Sequence, residues 1–287
     1  MQPAVNNEPE NEDVYMFYPR NSAVWQAKRT SGHLENAKII SATCKKVGFI
    51  VPSSNTAVEP ITQAIFQSLN EDIVCIFTRI KVKTVGTDAK STSQFSTENM
   101  VEAAQLLADS EPDCIIWNGT SGMWVGTGLE EDKKLAKAMQ DATGILCSTT
   151  TIATIEALEH LQAKKMSIAV PYTEALTAKV AEFYTGCGYE VVKTTRLENT
   201  PASNLEIGRS ELNDIKDVIR RSATSDSEVI NVACTNWPAT GLAEELEQEL
   251  GTLIMDSISV TTWWALRLIG LRKGISGWGR LLAQDHA

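Results

Sequence analysis

The feature that most limits the fold is a repeat. Residues 47–51 are an apolar, β-branched run that ends in Pro52-Ser53-Ser54, and residues 166–170 are a second such run that ends in Pro171-Tyr172-Thr173. Further along each half, Gly144-Ile145-Leu146-Cys147 leads to Ala157-Leu158, and Gly251-Thr252-Leu253-Ile254 leads to Ala265-Leu266. Short apolar runs bounded by turn residues read as buried strands, and segments with apolar residues three and four apart read as helices. On that basis strands are expected at 47–51, 73–79, 114–117, 144–147, 166–170, 190–194, 229–232 and 251–255. Helices are expected at 57–69, 98–109, 131–142, 151–161, 176–185, 211–221, 241–250 and 260–268. Strict alternation implies parallel sheets joined by right-handed crossovers. The pattern starts over near residue 162. The expected fold is therefore α/β, with two pseudo-symmetric lobes that face each other across a cleft. Each lobe is a mostly parallel sheet flanked by helices. The first spans 44–162 and the second 163–287, with the C-terminal helix packing back on the first.

Residues 1–43 differ in character. Residues 1–13 are polar and acidic and read as disordered. Residues 14–27 hold Tyr15, Phe17, Tyr18 and Trp25, and read as a segment that packs on the body or on a partner subunit.

Composition excludes several roles. At 287 residues the chain can build two lobes with cores of their own. A net charge of −10 without a basic stripe argues against nucleic acid as a partner. No apolar run approaches the ~20 residues of a membrane span, and no basic start followed by an apolar stretch marks a secretory signal. The six cysteines are scattered singly, which points to reduced thiols and a cytoplasmic setting. The three histidines, His33, His160 and His286, lack ligand spacing to another histidine or a cysteine, so neither a metal site nor a histidine-based triad is expected. Gly119-Thr120-Ser121-Gly122-Met123-Trp124 lacks the Gly-Lys-Ser/Thr ending of a phosphate loop. No cofactor is expected. The expected partner is a small molecule, and a homo-oligomer is compatible with this reading.

One stretch carries the strongest chemical signal. Residues 229–232 end in Ala233-Cys234-Thr235-Asn236, a thiol at the carboxyl end of a strand. Ligands bind at that edge of open parallel sheets, and N–H groups at a following helix start can hold an anion or lower a thiol pKa. The matching first-lobe turn is Asn118-Gly119-Thr120-Ser121. Plainer roles are open for each residue: Asn55 and Thr56 fit a helix cap, Gly119 a tight turn, Tyr172 the core, and Asn204 a turn. Trp117, Trp124 and Trp237 fit either core or a substrate platform.

These segments together resemble the aspartate/glutamate racemase superfamily, in the branch with maleate cis-trans isomerase and arylmalonate decarboxylase. Val51-Pro52-Ser53-Ser54-Asn55-Thr56 resembles the isomerase entry motif, and Trp117-Asn118-Gly119-Thr120-Ser121 the first-lobe active-site turn. Ala169-Val170-Pro171-Tyr172-Thr173 resembles the turn with the family's tyrosine, and Ala233-Cys234-Thr235-Asn236 the second-lobe cysteine turn. Asn204-Leu205-Glu206-Ile207-Gly208-Arg209 and Gly277-Trp278-Gly279-Arg280-Leu281 also match segments of the branch. The resemblance implies Cys234, Gly119, Thr120 and Tyr172 as catalytic positions. It implies Ser53, Ser54, Asn55, Ser121, Asn204, Thr235 and Asn236 as substrate-binding ones.

Racemases and isomerases of this branch carry a cysteine in each lobe; here Gly119 stands at the first. That pattern resembles the decarboxylase, in which loss of CO2 leaves an enediolate that a lone cysteine protonates on one face. The resemblance thus implies a cofactor-free decarboxylase of a substituted malonate-like diacid. A maleate-type isomerase or dicarboxylate racemase is the alternative, and a silent anion-binding paralogue the third. Gly119 is expected to leave room for an aryl or alkyl substituent. Cys234 must hold its proton to act as an acid.

Overall fold

The computed structural model describes residues 44–69, 71–126 and 128–284. The expectations for residues 1–13 and 14–27 lie outside the described residues.

The repeat is realised as two sheets of the same topology. The first holds β1 (Lys45–Pro52), β2 (Ile73–Ile80), β3 (Cys114–Trp117) and β4 (Leu146–Thr149) in the order β2-β1-β3-β4. The second holds β5 (Lys165–Val170), β6 (Glu190–Arg196), β7 (Val229–Val232) and β8 (Leu253–Asp256) in the order β6-β5-β7-β8. Every pairing is parallel. One principal helix follows each strand: α1 (Val58–Gln67), α2 (Thr97–Ala108), α3 (Leu129–Thr143), α4 (Thr150–His160), α5 (Glu174–Gly186), α6 (Leu212–Ser222), α7 (Ala243–Leu250) and α8 (Ser257–Leu268). The expected two-lobed α/β architecture is the one observed.

Burial follows from that layout. β3 and β7 are buried along their whole length, as strands covered on both faces must be. The edge strands β2 and β6 are only half-buried. Hydroxyl side chains start several helices: Thr149, Thr173 and Ser96 accept hydrogen bonds from Ile152, Leu176 and Asn99 N–H. Gly144 and Gly251 end α3 and α7 at φ +70° and +72°. Both take the left-handed conformation that favours glycine at a helix end. The strands expected from these two glycines therefore begin two residues later, at Leu146 and Leu253.

The equivalent helices α4 and α8 meet at the seam. Thr150 and Thr261 hydroxyls lie 2.8 Å apart, and Trp264 Nε1 donates to Ser148 Oγ at 3.0 Å. Helix α8 packs on α1 as well. The short helix Arg280–Ala283 packs on β8 and α8. A buried acid–hydroxyl pair recurs beside both seam helices with its partners exchanged. Thr149, ahead of α4, donates to Asp132 of α3, whereas Thr240 donates to Asp256, which caps α8. Burial pushes both carboxyls up to about 6.

Strand order reverses between β1 and β3 and again between β5 and β7. Turns that follow those four strands flank the crevices where doubly wound sheets bind ligands. Among the described residues no helix is long and apolar enough to cross a membrane.

Candidate active site

Cys234 sits two residues beyond β7 and is buried, with 3% of its surface exposed. The N–H groups of Asn236 and Trp237 and the Tyr172 hydroxyl all hydrogen-bond its sulfur and favour the thiolate. Desolvation opposes them and is larger, so the thiol is pushed up to about 11. The expected helix start does not supply these donors: Asn236 and Trp237 lie in the turn after β7, and the next helical residues begin at Thr240.

Tyr172 enters from the turn after β5. Its hydroxyl lies 3.1 Å from Thr120 Oγ1, linking the two lobes. Burial and the neighbouring Cys234 hold the phenol well above its usual value of 10.0, so it stays a donor. Trp124 packs edge-on against the Tyr172 ring at 5.5 Å. Ser121 Oγ accepts the Trp117 indole N–H at 3.1 Å, which leaves the serine's own O–H to donate.

Between the turns lies a cavity of about 20 Å³, room for about one water. Gly119, Thr120 and Ser121 face it from the first lobe, and Tyr172, Asn204, Cys234 and Thr235 from the second. Pro52, Trp117 and Trp124 add apolar wall, as do Val82, Val85 and Phe95 from the stretch after β2. No charged side chain belongs to that lining. An anion there would be met by neutral hydroxyl, amide and thiol groups.

The remaining four expected site residues lie outside the lining and tie its loops together. Ser53 Oγ accepts from Val82 N–H at 3.1 Å, and Ser54 Oγ donates to Val82 O at 2.6 Å. Asn204 Nδ2 in turn donates to Ser54 Oγ at 2.8 Å. Asn55 Oδ1 accepts from the Ala57 and Val58 N–H groups, while its Nδ2 reaches Thr235 Oγ1 at 3.3 Å. Asn236 Oδ1 accepts from Thr56 N–H at 2.9 Å, and its Nδ2 donates to Asn204 O. Asn55 thus fixes both the start of α1 and the cysteine turn.

One expectation is corrected. Gly119 does not leave open room. A Cβ built on it falls 2.6 Å from Trp117 Cε2 and 2.9 Å from Cη2, and closer still to Cζ2. Nor is its φ among the positive ones, so space rather than backbone conformation demands glycine. Sequence reasoning missed Val82, Val85 and Phe95, because a segment without periodicity gives no sign of which side chains turn inward. Arg79 was missed too: its guanidinium donates to Ser53 O and Asn55 O at 3.1 and 3.0 Å and pairs with Glu59 at 2.8 Å.

Fold and site together define a class: a duplicated parallel α/β protein whose single cysteine turn faces a cysteine-free turn across an uncharged cavity. The chain belongs to the arylmalonate decarboxylase family, whose model matches residues 47–282. It is 26% identical over 249 residues to a maleate isomerase of Nocardia farcinica, covering 85% of this chain and 97% of that one. It is also 26% identical over 192 residues to an arylmalonate decarboxylase of Bordetella bronchiseptica, covering 66% and 78%. Among solved structures, a Nocardia farcinica maleate cis-trans isomerase mutant with a covalently bound succinylcysteine intermediate superposes with a TM-score of 0.78 at 23% identity, over 85% of this chain and 100% of that one. An arylmalonate decarboxylase superposes with a TM-score of 0.67 at 24% identity, over 83% and 98%. These structures share the fold.

Proposed function

We propose that the protein is a cofactor-free decarboxylase of a substituted malonate-like diacid. The observation that carries this is the asymmetry of the two turns. A buried thiol, held protonated by desolvation, lies on one side, and on the other is a glycine under a tryptophan ring. Exchange at both faces of an α-carbon needs a base on one side and an acid on the other. This cavity has one thiol, and at neutral pH that thiol is an acid.

The reaction follows from the donors. The bond from the α-carbon to one carboxylate breaks, CO2 leaves, and the electron pair delocalises into the remaining carboxylate as an enediolate. Ser121 has a free O–H donor for the charge that develops on its oxygens, and Thr120 and Tyr172 turn theirs toward it from the Tyr172 oxygen and the Cys234 sulfur. Val82, Val85 and Phe95 offer apolar surroundings that suit a carboxylate losing its charge as CO2. The Cys234 S–H proton then passes to the α-carbon on one face, and the thiolate regains a proton from water. The closed cavity is far smaller than a diacid, so the walls must part to admit substrate.

A maleate-type isomerase is the second reading, favoured by the maleate isomerases among the relatives. The experiment that separates them is CO2 release from aryl- and alkyl-malonates, run beside maleate-to-fumarate conversion. The proposal expects CO2 from at least one malonate, lost on Cys234→Ala. Conversion of maleate with no CO2 from any malonate would overturn it.

A further inference from the structure

We infer that Trp117 is the specificity-determining residue of this site: its indole fills the space that any side chain at position 119 would occupy, and so commits the cavity to a single thiol. The chemical half of this inference rests on the decarboxylase reading; the steric half stands without it.

The geometry begins in β3. Strand alternation sends Cys114 and Ile116 to one face, and Ile115 and Trp117 to the other. There Trp117 joins the core formed with Ile50, Phe95, Met100 and Met139. As the last residue of the strand, Trp117 lies two positions before Gly119. The chain turns so that the benzo edge of the indole comes over the glycine. Real Cβ atoms essentially never come within 3.0 Å of such atoms, and three ring atoms lie inside that limit.

The ring has little freedom to yield. Trp117 is fully buried, its N–H is held by Ser121 Oγ at 3.1 Å, and Phe95 packs against it at 6.1 Å between ring centres. Any thiol placed at 119 must displace the indole and break its bond to Ser121, a hydroxyl facing the cavity. Trp117 therefore does two things. It excludes a second proton-transfer group from the first-lobe side, and it orients the Ser121 donor. The substrate class that fits is a diacid whose α-substituent rests against this indole wall, with proton delivery confined to the Cys234 side.

The test is a double-mutant cycle read as thermal stability, with a chemical arm. Trp117→Phe removes the overlapping atoms and keeps an aromatic core residue; Trp117→Leu serves if that variant folds poorly. Gly119→Ala should lower Tm by roughly 4–10 °C in the native background, as overpacking of a rigid core does, and by less than about 2 °C with Phe or Leu at 117. Equal losses in both backgrounds would overturn the steric assignment. For the chemical arm, α-deuterium exchange of a 2-arylpropionate in D2O is compared between Gly119→Cys and Gly119→Cys/Trp117→Phe. The double variant should exchange at least about ten-fold faster, the span that 1.4 kcal/mol of barrier sets. If the single variant exchanges as fast, or neither exchanges, Trp117 is not the chemical determinant. Absence of malonate decarboxylation by the native protein would bring down the proposed function alone, since the Tm cycle still decides the steric claim.

Discussion

Raising the pH past 9 should leave Cys234 protonated until the pH nears 11. The sulfur accepts hydrogen bonds from Asn236 and Trp237 N–H and from the Tyr172 hydroxyl, yet burial lifts it from 9.0 to about 11. A rise of about two units corresponds to about 2.7 kcal/mol of preference for the neutral form. Because the folded value lies above the unfolded one, this contribution to stability is complete below pH 9 and is lost as pH climbs through about 11. In that window the unfolding free energy should fall by up to about 1.4 kcal/mol per pH unit through this group alone. The direct assay is NMR of protein labelled with ¹³Cβ-cysteine, with Cys234→Ser identifying the resonance. A midpoint at or below 9 would refute the reasoning, since hydrogen bonding would then outweigh desolvation and the thiol would be better suited to act as a base.

Related outcomes follow from neighbouring groups. Tyr172→Phe removes a donor that lowers the thiol pKa, so the same titration should move further up while kcat falls by ~10²–10³. Thr120→Val should lose kcat on a similar scale with the Cys234 titration almost unmoved, because Thr120 bonds Tyr172 rather than the sulfur. Asp132 is pushed from 3.8 to about 6 by burial; its contribution is complete below 3.8 and lost as pH rises through about 6. Asp132→Asn should therefore be more stable than the native protein at pH 8 by about 1–3 kcal/mol in urea unfolding, and should gain little at pH 4. Asn55→Ala removes bonds to Ala57 and Val58 N–H and to Thr235, and should cost about 1–3 kcal/mol in the same assay.

The duplication was legible in the chain because strands buried on both faces are written as β-branched runs, and their turns as proline followed by small polar residues. Both the 47–51 and the 166–170 runs lie within central strands. The turns after β3 and β7 stood out as polar residues at the ends of apolar runs, and the family resemblance singled out Thr120, Tyr172 and Cys234. What periodicity hides is the reach of a side chain along its own chain. That Trp117 folds back over Gly119 depends on the backbone path through Asn118, so glycine there was read as an opening when it is a fit. Gly144 and Gly251 were read as strand starts because apolar residues follow them; only their left-handed φ marks them as helix ends. Ser53, Ser54, Asn55 and Asn236 carry the polarity of ligand-binding residues. The structure places their polar atoms in bonds between loops.

The central claim is one-sided proton delivery by Cys234. It is tested most directly by running the decarboxylation of a prochiral, disubstituted arylmalonate in D2O and measuring deuterium content and hand of the product. The native protein should give one α-deuteron and a single enantiomer, with turnover reduced at least ~10²-fold in Cys234→Ala. A racemic product from the native protein, or a Cys234→Ala variant that keeps both rate and hand, would contradict it.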